Sequence, residues 1–286
     1  MDTKPATQLD APSGRFGRLV RSPLGWMVTG VIGVGLVSAP TAAGPGPVPL
    51  LGAAAALAVY RWVMRRVAGR PVPEIARRGA GRELLFGGAI GLGFILLPVL
   101  LLTAFGGYSF SWAGHGLAPV LWTAFAVQLS GAVTEELLFR GLALQALEEL
   151  WGSRVAIAVT ALFFGVAHLG AEEATPWSAV AIAVEAGVLL GAAFLWRRSI
   201  WFAAGLHFTW NAAEQLLGIP VSGHTPEGLF TVDVHGPALL TGGGFGLEAS
   251  ILPVLLGAAL AAPMLRRARR AGGIAPRPRT RARTAG

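Results

Sequence analysis

Cysteine is absent from the chain of 286 residues, which excludes disulfides, thiol nucleophiles, zinc fingers and iron–sulfur clusters. Charge is scarce too: Asp, Glu, Lys and Arg make up 13% of the residues, roughly half the usual share of a water-soluble fold. That shortage excludes an ordinary soluble domain, and any chemistry must come from His, Ser, Thr or carboxylates. What is present is apolar, with 53% hydrophobic residues and a mean hydropathy of +0.60. These values describe a membrane protein. A net charge of +8 would suggest nucleic acid if the basic residues formed one face, but they sit at the ends of apolar runs, so no nucleic-acid partner is expected.

A crossing needs about 20 mostly apolar residues. Eight segments qualify: Leu24 to Ala39, Pro47 to Met64, Leu84 to Phe105, Leu117 to Leu147, Val155 to Leu169, Pro176 to Trp196, Ile200 to Leu217 and Leu247 to Leu265. No Asp, Glu, Lys or Arg occurs between Glu83 and Glu135, too long a stretch for one crossing, and Gly106-Gly107-Tyr108-Ser109 marks the break. Cytoplasmic loops collect Lys and Arg, which tests the count independently. Arg15, Arg18 and Arg21 precede the first span, and Arg61 to Arg82 fill the loop after the second. Arg154 follows the fourth span, Arg197 and Arg198 the sixth, and eight arginines from Arg266 to Arg283 the last. The alternate loops contain none. Eight spans with both termini in the cytoplasm satisfy the rule, and only Arg140 is left inside a span.

The expected organisation is a basic cytoplasmic segment 1–23, a membrane domain 24–265 and a disordered Arg-rich cytoplasmic tail 266–286 lying close to anionic lipid headgroups. A basic stretch, an apolar run and Ala42-Ala43-Gly44 resemble a signal peptide, but the long preceding segment with Asp2 and Asp10 argues that the first span is retained. Trp26, Trp62 and Trp196, near span ends, read as interfacial anchors. The Arg- and Ala-rich composition points to a bacterial plasma membrane. No internal repeat is visible, which argues against the paired halves of many transporters.

Ionisable residues inside spans are costly and mark function. Here they are Glu135, Glu136 and Arg140 in the fourth span, His168 in the fifth, Glu185 in the sixth, and His207 and Glu214, beside Asn211, in the seventh. At 100° per residue, Glu136 and Arg140 share a helix face and can pair, whereas Glu135 points elsewhere. His207 and Asn211 likewise share a face. With the fourth span running to Glu148, Glu135 and His168 each lie about 20 Å, and His207 about 12 Å, from the cytoplasmic side, so the three can meet.

Glu135-Glu136-Leu137-Leu138-Phe139-Arg140 fits EExxxR, Phe164 to His168 fits FxxxH, and His207 to Asn211 fits HxxxN. In this order, each within an apolar span, they resemble the CAAX-protease and bacteriocin-processing family of intramembrane proteases, the CPBP or Abi family. The resemblance is strongest over 117–217. It implies an all-α polytopic fold of about eight transmembrane helices enclosing an intramembrane polar cavity, and an endopeptidase acting on a peptide or membrane-protein substrate, prenylated or otherwise membrane-associated. It further implies Glu135 as general base, His168 as its partner in holding the water, His207 and Asn211 as the oxyanion hole, and Glu136 with Arg140 in support. The physical chemistry agrees, since amide hydrolysis needs a base for water and donors where negative charge develops.

Glu136 with Arg140 also reads as a structural ion pair, and each histidine alone as a helix–helix contact. Glu185 and Glu214 carry no motif; Glu214 returns to the face of His207, where it would support the site or solvate the cavity. His115, His224 and His235 fall in outer loops and read as solvated. No cofactor is expected. Zinc is the rival, with Glu135, His168 and His207 as ligands, although the HExxH spacing is absent. Beside the peptidase stand a membrane scaffold or immunity factor that uses the same site for binding, and a solute transporter.

Overall fold

The computed structural model describes residues 15–277; most of the basic segment 1–23 and the end of the expected disordered tail lie outside the described residues. An apolar segment in hydrocarbon must satisfy its own backbone, which makes it helical. Among the described residues seven helices are long and apolar enough to cross a membrane: α1 (Pro23–Thr41), α2 (Val48–Val67), α3 (Ala80–Ala104), α4 (Leu117–Trp151), α5 (Ser153–Gly170), α6 (Pro176–Arg197) and, as the last, α8 (Ile251–Arg270). Between α6 and α8 lies α7 (Ile200–Leu217), on the bounds expected of the seventh span. It is less apolar than the others because it carries His207, Asn211, Glu214 and Gln215, and His207, Glu214 and Gln215 are buried in protein.

Local signals set the helix ends. Ser22 caps α1 by accepting from the Gly25 amide at 3.2 Å, and Thr175 and Ser178 form a reciprocal capping box at the start of α6. Ser250 accepts from the Leu252 amide at 3.1 Å. This cap corrects the eighth span, which starts at Ile251 and not at Leu247; residues 247–249 form a separate 3-10 turn. At its other end α8 runs on to Arg270, since arginine is a good helix former and suits the negative end of the helix dipole. Residues 271–277 then fold back on the α4–α5 turn, where Ala275 N donates to Ser153 Oγ at 2.7 Å and Ser153 N to Ala275 O at 3.1 Å. The ordered chain therefore extends past the expected boundary at 266.

Helix dominates, with one small exception. The glycine break after α3 leads into β1 (Tyr108–Trp112), which pairs antiparallel with β2 (Phe230–Val234), Tyr108 opposite Val234 and Trp112 opposite Phe230. This pairing ties the loop after α3 to the loop after α7.

Buried side chains form two cores, one around Trp26, Tyr60, Leu137, Leu142 and Phe194, the other around Phe94, Phe164, Phe202 and Trp210. Trp26 is only 2% exposed, so it packs inside and does not anchor at an interface. Leu85, Phe105, Leu162 and Phe163 stay exposed, as a lipid-facing surface allows. The most extensive helix contact among the described residues joins α3 to α7. A Cβ on Gly87 or Gly91 would stand 2.0 or 2.1 Å from the carbonyl oxygen of Phe202 or Leu206, and Thr209 Oγ1 donates to Gly88 O at 2.8 Å. Small residues let the backbones touch, and this contact fixes α7, with its polar residues, in the bundle.

Candidate active site

α4 is one continuous helix through Glu148, interrupted by π-helical turns at Ala124–Gln128 and Leu137–Leu144, the second starting directly after Glu136. Such insertions are common at functional sites because they re-aim side chains. Glu136 and Arg140 pair as their spacing requires: Arg140 Nη1 donates to Glu136 Oε1 at 3.0 Å, with side chains 2% and 0% exposed. The other end of the guanidinium donates to the carbonyls of Ala186 at 2.7 Å and Gly187 at 3.3 Å. Both carbonyls belong to a π-helical stretch of α6, Ala183–Val188. The ring of Phe164 lies 5.0 Å from the guanidinium carbon.

His207 comes from α7 to the same carboxylate, its Nδ1 donating to Glu136 Oε1 at 3.0 Å. One oxygen of Glu136 thus accepts from two helices. His168 ends α5, and its Nδ1 donates to Phe164 O at 2.7 Å; a carbonyl can only accept, so Nδ1 carries the proton and Nε2 is left available. Phe164 also links the histidines, with ring centroids 4.7 Å from His168 and 6.4 Å from His207. Asn211, one turn after His207, has a buried Oδ1 without a partner.

Glu135 behaves differently from its neighbour. It is half-buried and, among the described residues, makes no hydrogen bond or ion pair. It lines a cavity of about 180 Å³ between α4 and the facing ends of α1 and α2, with Ser38, Thr41, Ser130 and Thr134. It remains within electrostatic reach of Arg140 and His207. The motif residues Glu136, Arg140, His168 and His207 therefore gather around Phe164, and Glu135 stands beside them on the cavity side.

A second acidic group lies nearby. Glu185 and Glu214 are fully buried, and none of their four carboxylate oxygens has a hydrogen-bond partner. They are within electrostatic reach of each other and of Glu248, which in turn reaches His168 and His207. Glu248, missed by sequence reasoning, precedes α8 outside the membrane-spanning helices and accepts from Ser222 N at 2.6 Å and Ser222 Oγ at 2.9 Å. Burial pushes its carboxyl above the usual carboxylate range, with the Ser222 hydrogen bonds opposing the shift. A glutamate at the head of an apolar run was the available signal.

Among the described residues no group of three or more His, Asp or Glu side chains converges in a way that would hold a metal ion. His207 and His168 direct Nδ1 to Glu136 and to a carbonyl, so each keeps Nε2 available. His115, His224 and His235 are exposed.

Residues 116–213 match the family model of the Rce1-like type II CAAX prenyl endopeptidases. The matched segment contains all three motifs and bears out the resemblance to CAAX proteases; it supports a membrane protease role. Neither a curated protein nor a solved structure matches the chain.

Proposed function

With a segment that matches CAAX prenyl endopeptidases as the premise, we propose that this protein is an intramembrane endopeptidase in which Glu135 activates the attacking water. The observation that carries the reading is the single Glu136 oxygen shared by Arg140 and His207. It draws two of the motifs into one site, with Phe164 of the third packed against them, and leaves Glu135 without a cation of its own.

In this reading Glu136 and Arg140 are positioning residues. They hold α4, α6 and α7 together and orient His207. Water enters from the cavity beside Glu135, whose carboxylate takes a proton as the oxygen attacks the scissile carbonyl carbon. His168 Nε2 is available to orient that water. The carbonyl oxygen becomes an oxyanion, which accepts hydrogen bonds from the Asn211 amide and from His207 Nε2. His207 can donate there only as an imidazolium, because its Nδ1 proton is committed to Glu136, and the same carboxylate supplies the compensating charge. The proton held by Glu135 passes to the departing nitrogen as the C–N bond breaks. No step requires a metal.

The test is cleavage of a quenched fluorescent membrane peptide by purified protein in vesicles. Turnover should disappear in Glu135→Gln and persist after prolonged chelator treatment. Undiminished turnover in Glu135→Gln would overturn the assignment, and chelator inactivation reversed by zinc would replace it with a metal site. Binding without hydrolysis by the unaltered protein would favour the scaffold, and saturable uptake into vesicles the transporter.

A further inference from the structure

Far from the motif residues, where α4 ends, α5 begins and α8 ends, a cavity of about 510 Å³ opens beside the chain that follows α8. We propose that it binds the phosphate-bearing headgroup of an anionic phospholipid. Its lining combines two chemistries: Trp151, Val155 and Ile274 are apolar, whereas Arg154, Arg269 and Arg277 each bring a guanidinium. The three arginines are exposed, and among the described residues none forms an ion pair. Their neighbour Arg198 is used otherwise, pairing with Glu148 at 2.6 and 2.8 Å. Three like charges around one cavity repel one another, and a bound anion reverses the sign of that interaction. Arginine suits phosphate in particular, because its planar donors match two phosphate oxygens at once.

The cavity is built, since its wall is held by specific contacts. Ser153 exchanges two hydrogen bonds with Ala275, at 2.7 and 3.1 Å, and Arg198 donates to Gly273 O. Gly152, at φ 81°, lets the chain come closer still: a Cβ there would meet Arg277 N and the Pro276 carbonyl at 2.9 Å. Two observations select a lipid over a free phosphate. The site lies where membrane helices end, at the level of headgroups, and Trp151, 43% exposed, is the residue type enriched there. A soluble anion would also have no use for an apolar wall, whereas the glycerol and first methylenes of a lipid would cover it.

The proposal is tested by native mass spectrometry of the full chain in neutral detergent, titrated with phosphatidylglycerol. Retention should exceed that of phosphatidylcholine and fall about a hundredfold in the triple variant Arg154→Gln, Arg269→Gln, Arg277→Gln, at about fivefold per arginine removed. A triple variant with equal charge loss on α2 and the following loop, Arg65→Gln, Arg66→Gln, Arg78→Gln, should change retention less than about twofold. Arg269→Gln alone, at an exposed position outside the ion pairs of the described residues, should give the single-arginine loss. The proposal is overturned if both triple variants fall equally, because the attraction is then diffuse. It is also overturned if phosphatidylcholine is retained as well as phosphatidylglycerol, or if inorganic phosphate at matched concentration displaces the lipid, which would make this a site for free anions.

Discussion

Two acidic groups lie in the same interior and are handled in opposite ways. Glu136 is fully buried, yet its Oε1 accepts from Arg140 and His207, and Arg140 is further satisfied by carbonyls of α6. Glu185 and Glu214 are as deeply buried and have no partner for any carboxylate oxygen. A buried carboxylate is costly unless paired, and once paired it becomes hard to remove, because its loss strands the partner charge. The first group therefore fixes geometry between helices. The second forms no ion pair among the described residues, and its side chains can be neutralised without stranding a cation.

Removing one carboxylate at a time tests this contrast. The largest effect is expected from Glu135→Gln, which should lower turnover by more than about 10³ by removing the base while leaving Tm near that of the unaltered protein. Glu136→Gln should cost about 3 to 5 kcal/mol of stability in a denaturation series, because Arg140 stays behind in the bundle. If the two variants exchanged phenotypes, the roles of the adjacent glutamates would be reversed. His207→Ala and Asn211→Ala should each lower kcat by about 10² to 10³ with smaller changes in KM, the pattern of lost oxyanion donors.

Glu185→Gln and Glu214→Gln should shift stability by less than about 1 kcal/mol in either direction, since no cation is stranded. A loss as large as that of Glu136→Gln would erase the distinction between the two groups. The smallest effect concerns Glu248. Its carboxyl lies above the usual range in the folded protein, so its contribution favours folding at low pH and is lost as pH rises through the folded value. Glu248→Gln should flatten that part of a stability–pH curve, while Gln still accepts from Ser222.

Much of this arrangement was legible from residue order. Glu136 and Arg140 had to share a face if α4 was helical, and α4 does run unbroken past Glu148, as the depth argument for bringing Glu135, His168 and His207 together required. Ile200–Leu217 appeared on its expected bounds despite its polar residues. Glu248 was only half legible: its place at the head of an apolar run was a signal, but nothing in its own segment shows that Ser222, 26 residues earlier, will cover it. The pairing of β1 with β2 was equally hidden, because alternation within one loop does not identify a partner more than a hundred residues away. The ordered chain after Arg270 was read as tail because its arginine and proline content suits solvent, and its partners, Ser153 and Arg198, lie far back in the sequence.

Hydrophobic run length and helical spacing by themselves determined that the chain is a helical membrane protein, where its long apolar helices lie, and that Glu136 meets Arg140. These are one-dimensional properties, set by the cost of unsatisfied backbone and of charge in hydrocarbon. Tertiary structure alone decided that His207 shares the Glu136 oxygen, that Glu135 faces a cavity lined by α1 and α2, and that Glu185 and Glu214 are left without partners. Each of these depends on how closely two helices approach and at what rotation. Glycine contacts such as Gly87 and Gly91 against α7 and the π-helical turns of α4 and α6 set those quantities between elements, where the order of residues along one helix has no say.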